Sequence, residues 1–346
     1  MNHEILKNDT YYYRPISQTL EDELGGGRLK WLVNVVKKEP DLDFQTGSNK
    51  SGSWISVYRG LTRLISIEYR SRKEAFRISG TPSYQLLVEG LYKNSTKKLD
   101  FKAKLKDLIE KVARHEKYKR YFETEKEGFF QSAFSRKFGV LASSKSDIVV
   151  LDKEAVIGHI DKIHKRKFEE PIIKLHRKFL ETLSKKDAKQ FGVGLHKRSI
   201  GAELDFLAVN KSGRVVLIEF KHVTGRPHLA TVQLSAYYEL FKKYAKENKK
   251  EFQTAIKDML QQKIKLGLLP NWRVKEWSFE LEPWIVISRY DPSTRRSFDK
   301  MKNILTDYGK KKKMLSADYL RKLRIFSFNA IEGNKLFRLD ELTDQL

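Results

Sequence analysis

The chain has 346 residues, 40% of them apolar, and carries 69 Lys and Arg against 44 Asp and Glu, a formal net charge of +25. At ~150 residues per domain the length suits about two domains, and the apolar share excludes wholesale disorder. The absence of cysteine excludes disulfides, cysteine-ligated zinc, iron–sulfur clusters and thiol nucleophiles together. No apolar run approaches the ~18 residues of a membrane-spanning helix. The stretch MNHEILKNDTYYYRP lacks the basic-then-apolar layout of a signal peptide, so a cytoplasmic protein is expected.

Gly25-Gly26-Gly27 and Thr46–Ser53 carry turn or loop chemistry, and the triple glycine lacks the Lys-Ser/Thr ending of a phosphate loop. Residues 54–92 read as strands. Ile65, Ile67 and Tyr69 alternate with Ser66 and Glu68, and Phe76 and Ile78 repeat the period after a polar break, which predicts a hairpin. Residues 99–122 switch to helical spacing through Leu105, Leu108, Ile109 and Val112. Two short strands are expected near Phe134–Leu141 and Ile148–Leu151. Residues 1–155 therefore read as a β-rich α+β domain for recognition or dimerisation, with nothing catalytic in it.

Residues 156–346 read as a second, α/β domain. Ile172, Leu175, Phe179 and Leu183 mark a helix over Glu169–Leu183, with Pro171 suited to its first turn. A strand Asp205–Val209, the turn Asn210–Gly213 and the apolar strand Val215–Lys221 predict an antiparallel hairpin. A long helix over Pro227–Asn248, a buried strand at Trp284–Ser288, helices near 298–308 and 315–323, and a strand Arg324–Phe328 complete the order. It implies a mixed sheet flanked by helices.

The charge excess speaks to partners rather than fold. Between Asp161 and Arg198 twelve Lys and Arg face five Asp and Glu, Lys310–Lys313 is uninterrupted, and aromatics interleave with cations as in Tyr118-Lys119-Arg120-Tyr121. Such mixing suits a nucleic-acid partner, and it also describes a solvated helix face.

The chemistry concentrates in the hairpin. Glu203 and Asp205 share one strand face, as do Glu219 and Lys221 on the next strand. Three carboxylates and a lysine can therefore meet at one edge. Buried acids need a partner or a cation, and converging oxygens suit Mg²⁺. Asp205 separated by thirteen residues from Glu219-Phe220-Lys221 resembles the PD-(D/E)xK nuclease superfamily, although Leu204 stands where the motif has proline. A glutamate on the preceding helix adds to the likeness: Glu170 is favoured, with Glu169 and Glu181 as alternatives. Gln233 and Tyr237 match the Q-x3-Y motif of RecB-like members. The resemblance covers roughly residues 165–290.

What the resemblance implies is a restriction-endonuclease-like core and a Mg²⁺-dependent deoxyribonuclease, with Mn²⁺ able to substitute and endonuclease action favoured. Asp205, Glu219 and the Phe220 carbonyl would hold the metal. Lys221 would position the attacking water, Glu170 would support the metal, and Gln233 and Tyr237 would position the lysine or substrate. DNA is favoured over RNA, no membrane is implied, a homodimer is expected, and the N-terminal domain could dock a protein partner. Restriction, phage or mobile-element defence, or repair would fit. The rival readings are a non-catalytic nucleic-acid-binding protein and a partner-dependent subunit of a transposase or restriction complex. His222, His176, and Arg226 with His228 before the long helix are open as substrate contacts or as plain structural residues.

Overall fold

The computed structural model describes residues 8–119, 126–191, 203–223, 227–290, 300, 303, 317–330 and 337–342. It is mixed α/β with a two-stranded, a five-stranded and a six-stranded sheet. The chain divides into two compact units. The first comprises residues 1–6, 13–152 and 254–273, and the second residues 7–12, 153–253 and 274–346. The expected division into 1–155 and 156–346 was contiguous, whereas here a late segment joins the first unit.

The first unit contains helices α1 (Gln18–Gly25) and α2 (Lys30–Lys38), with strands β2 (Leu42–Asn49), β3 (Gly52–Arg59), β4 (Thr62–Arg70), β5 (Ala75–Ser79) and β6 (Lys93–Thr96). Strand β1 (Thr10–Tyr11) belongs to the second unit. Helices α3 (Pro82–Gln85), α4 (Lys102–Arg114), α5 (Glu116–Lys119) and α6 (Glu127–Phe138) follow. The five strands form an antiparallel meander. Its alternation is the one legible in the sequence: Ile67 pairs with Ile78 and Tyr69 with Phe76. Leu20, Leu32, Val36, Ile55, Ile65, Leu105 and Leu108 meet in one buried core.

Two expectations in this unit are corrected. Thr46–Ser53 is two strand ends around a turn at Lys50-Ser51. Asn49 Oδ1 closes that turn by accepting the Ser51 and Gly52 amides at 2.7 and 3.2 Å. The small polar residues are there for packing: a Cβ on Gly47 would lie 2.6 Å from the Trp54 ring. Phe134–Leu141 is not a strand, because Phe130, Phe134 and Phe138 recur at helical spacing as the buried stripe of α6. The α6 residue Arg136 is buried and donates to the carbonyls of Val36 and Leu42. Those bonds satisfy one carbonyl near the end of α2 and one at the start of β2.

Strand β7 (Ile148–Ala155) crosses the division between units. The second unit continues with β8 (Gly158–His159), α7 (Lys162–Phe191), β9 (Leu204–Asn210), β10 (Val215–His222), α8 (Ala230–Glu247), α9 (Lys249–Lys265, which ends in the first unit), β11 (Leu281–Ser288), α10 (Ala317–Lys322), β12 (Arg324–Ala330) and β13 (Phe337–Glu341). The six-stranded sheet runs β13-β12-β11-β10-β9-β7. Strands β10, β11 and β12 are parallel neighbours, while β9 and β13 are antiparallel to theirs. Helix α8 packs against β10 and β11, and α7 packs against α8. Helix α7 starts before the predicted boundary, so Pro171 lies inside it rather than in its first turn. Pro171 is exposed, so the Lys167 carbonyl left without an N–H partner can face water. Apart from residues 300 and 303, the expected helix at 298–308 lies outside the described residues, as do the run Lys310–Lys313 and part of Tyr118–Tyr121.

Among the described residues no helix is long and apolar enough to cross a membrane.

Candidate functional site

The hairpin β9–β10 builds the site. Its turn is specified locally: Asn210 Oδ1 accepts from the Ser212 and Arg214 amides at 3.1 and 3.0 Å, and the Gly213 amide donates to the Asn210 carbonyl at 3.0 Å. Gly213 has φ +68°, and a Cβ there would lie 2.2 Å from the Glu276 carbonyl oxygen. Only glycine fits that position without moving backbone.

The turn sets a register in which Val215 faces Val209 and Ile218 faces Phe206. One pair further brings Glu219 opposite Asp205, and residues directly opposite in an antiparallel pair share a face. Lys221, two residues beyond Glu219, lies on that face too. On the other face Phe206 packs edge-on to Phe220 at 6.3 Å, and Phe220 to Phe328 at 6.1 Å. The hairpin is thus anchored by aromatics on one side and carries the acids and the lysine on the other.

The polar groups meet at the carboxyl end of β10. Lys221 Nζ lies 2.7 Å from Glu219 Oε1, with side-chain exposures of 16% and 5%. Half-buried Asp205 accepts the Phe220 amide through Oδ2 at 2.8 Å. The N–H and C=O of one strand residue point to the same edge, so the Phe220 carbonyl also lies on the Asp205 side. The Lys221 carbonyl points the other way and accepts from Ser288 Oγ on β11 at 3.4 Å. Ligand sites of open α/β sheets lie outside the carboxyl ends of the strands, and Glu219 and Lys221 stand at that end of the parallel group β10–β12.

The helix candidates are placed differently. Glu169 is committed to His159, with Oε1 2.9 Å from Nε2, and its other oxygen lies 3.8 Å from Lys165. Glu170 and Glu181 are exposed on α7. Among the described residues no group of three His, Asp or Glu side chains is arranged to hold a metal. Glu170 therefore does not join Asp205 and Glu219 in a three-acid cluster. Glu203 is exposed just ahead of β9.

Gln233 is half-buried and Tyr237 is buried, one turn apart on α8. The α8 residue Ser235 is completely buried, and it explains His176. His176 Nδ1 lies 2.8 Å from the Ile172 carbonyl oxygen, which can only accept, so Nδ1 carries the proton. Nε2 then accepts from Ser235 Oγ at 3.1 Å. Burial pushes the His176 pKa down, and the Ile172 bond and Glu239 only partly oppose it. His176 is a neutral clamp between α7 and α8, a role invisible at sequence level because its partner is 59 residues away. His222 and His228 are buried, and Arg226 lies outside the described residues.

The donor set can be tested against a metal. Asp205 and Glu219 stand opposite each other on one face, the Phe220 carbonyl lies on the Asp205 side, and Asp205 and Lys221 are partly exposed. Mg²⁺ typically takes one or two carboxylates and completes its shell with water and substrate phosphate. The residues present fit that ion.

Compared with protein-family models, curated proteins and solved structures, the chain finds no match.

Proposed function

We propose that the chain is a metal-dependent nuclease that hydrolyses phosphodiester bonds of DNA, built on a restriction-endonuclease-like core. The observation that carries this reading is the convergence of Asp205, Glu219 and Lys221 on one face at the carboxyl end of β10, over an aromatic base. The order of elements supports it. An Asp-bearing strand runs antiparallel to the Glu-x-Lys strand, which passes through α8 into a parallel neighbour. The net charge of +25 suits a polyanionic substrate.

Asp205, Glu219 and the Phe220 carbonyl would hold Mg²⁺, with Mn²⁺ substituting. Bound there, the ion would supply Lewis-acid polarisation of the scissile phosphate and lower the pKa of a water. Lys221, held by Glu219, stands where its ammonium can hold a water in line or steady charge building on the phosphate. The Phe220 amide fixes the Asp205 carboxylate, so the acid is oriented before substrate arrives. Gln233 and Tyr237 would orient Lys221 or a substrate strand from α8. A double-strand cut would need two such sites, which a homodimer would provide. The pathway, whether restriction, defence against phages and mobile elements, or repair, is left to the substrate found.

The test is incubation of the purified chain with linear, circular and single-stranded DNA in Mg²⁺, Mn²⁺ or EDTA, beside Lys221→Ala and Asp205→Ala. Cutting that needs the metal and disappears in both variants is the expected result. Cutting that survives both substitutions would overturn the assignment.

A further inference from the structure

We propose that the outward face of α7 is the surface that holds the phosphate backbone of a nucleic-acid duplex; the choice of partner rests on the nuclease reading above. The helix spans Lys162–Phe191, and its buried residues, Phe168, Ile173, His176, Phe179 and Leu180, define an inward face. At 100° per residue, Arg166, Lys167, Lys174, Arg177 and Lys178 fall within an outward arc of about 120°. All five are exposed, and they share the arc with two exposed acids, Glu170 and Glu181, which leaves these seven residues a net charge of +3.

An ordinary solvated helix alternates charge so that i,i+4 neighbours attract. Here Glu170 stands i,i+4 to Arg166 and Lys174, and Glu181 to Arg177, but Lys162 and Arg166, and Lys174 and Lys178, are like-charged i,i+4 neighbours, each such pair costing a few tenths of a kcal/mol. Among the described residues Arg166, Lys167 and Lys174 enter no ion pair. From residue 166 to residue 178 the helix rises about 18 Å. A duplex axis of that length carries about ten phosphates, so the partner supplies the charge that the helix lacks.

The surface is also tied to the catalytic strand. Lys243 of α8 lies 4.2 Å over the Phe168 ring and donates to the Phe168 carbonyl at 3.1 Å. His176 bonds Ser235 one helical stretch further on. Helix α8 in turn packs on β10. A duplex held on α7 is therefore held in a fixed relation to Glu219 and Lys221.

The experiment is fluorescence anisotropy of a labelled 20-base-pair duplex, titrated with the full chain across a series of salt concentrations in EDTA. Wild type is compared with Arg166→Gln/Lys167→Gln/Lys174→Gln and with Lys246→Gln/Lys249→Gln/Lys250→Gln, which removes equal charge from exposed positions elsewhere in α8 and α9. Each phosphate contact contributes about 0.9 to the log–log salt slope. The α7 variant should lose about 2.7 of slope and bind at least about tenfold more weakly at 0.1 M salt. The control variant should stay near wild type, and all three should melt alike. No duplex binding by wild type, or equal losses in the two triple variants, would overturn the proposal. So would an α7 variant that loses only binding to anionic phospholipid vesicles. Cleavage by wild type in Mg²⁺ separates the two readings: α7-dependent binding in a wild-type chain that never cuts DNA keeps this surface and removes the nuclease.

Discussion

The six-stranded sheet holds one buried glutamate near each end, and the two are used differently. Glu282, at the start of β11, is 3% exposed and fully engaged: Arg214 and Arg324 each reach it at 3.0 Å and the Trp284 indole donates to it at 2.6 Å. Glu219, near the end of β10, is 4% exposed and is held by Lys221, beside a second acid that a backbone amide orients. At Glu282 two guanidinium groups and an indole tie strands together, and two carboxylates, those of Glu341 and Glu282, push the Arg324 pKa up. At Glu219 the acids sit past the last β9–β10 ladder pair. Burial of a charge is thus no mark of a site by itself. What distinguishes Glu219 is a second acid, Asp205, opposite it on the same face near the carboxyl end of β10.

The largest expected effect breaks this comparison open. Asp205→Asn keeps an oxygen for the Phe220 amide but removes the charge, so cleavage should fall by about 10²–10³-fold with little change in melting temperature. Glu282→Ala should do the reverse, leaving cleavage per folded molecule intact. It should cost about 2 kcal/mol of stability, less than a fully buried pair because both arginines are partly exposed. Denaturation and cleavage assays on the same preparations read both, and parallel losses in the two variants would erase the distinction.

Two backbone substitutions sharpen it by about 2 kcal/mol each, in opposite directions. Gly213→Ala forces a side chain into a positive-φ turn against the Glu276 carbonyl, so the hairpin carrying Asp205 and Glu219 should loosen and stability and cleavage should fall together. Pro171→Ala restores a helical bond within α7 and should raise the urea midpoint without touching cleavage.

The smallest effect is a pH dependence at His176. Its folded pKa lies below the ordinary 6.5. As pH falls through that value the unfolded chain takes up a proton that the folded chain refuses. Stability is therefore lost on acidification until the folded pKa is reached. The thermal midpoint should drop as the pH falls through and below the ordinary 6.5, and His176→Gln should flatten that drop.

How much was legible in the sequence follows from the range of the interactions. The hairpin could be read because every determinant is local: alternating Phe206, Leu207, Val216 and Ile218, an Asn-Lys-Ser-Gly turn, and a period of two that puts Glu219 and Lys221 on one face. The same locality made β4 and β5 readable. Where a residue answers to distant packing, the reading failed. Gly47 reads as a loop because the Trp54 ring that covers it leaves no local signal, and Phe134 and Phe138 read as part of a strand because aromatic content says little about period.

By itself the sequence determined the charge, the hairpin and the face on which its acids and lysine stand, because strand geometry requires only neighbours along the chain. The tertiary structure alone decided the rest. It committed Glu169 to His159 and left Glu170 on the outside of α7, and it made His176 a clamp to Ser235. It also assigned residues 254–273 to the first unit, because those outcomes depend on which surfaces meet, and contacts between residues far apart in sequence leave no local pattern.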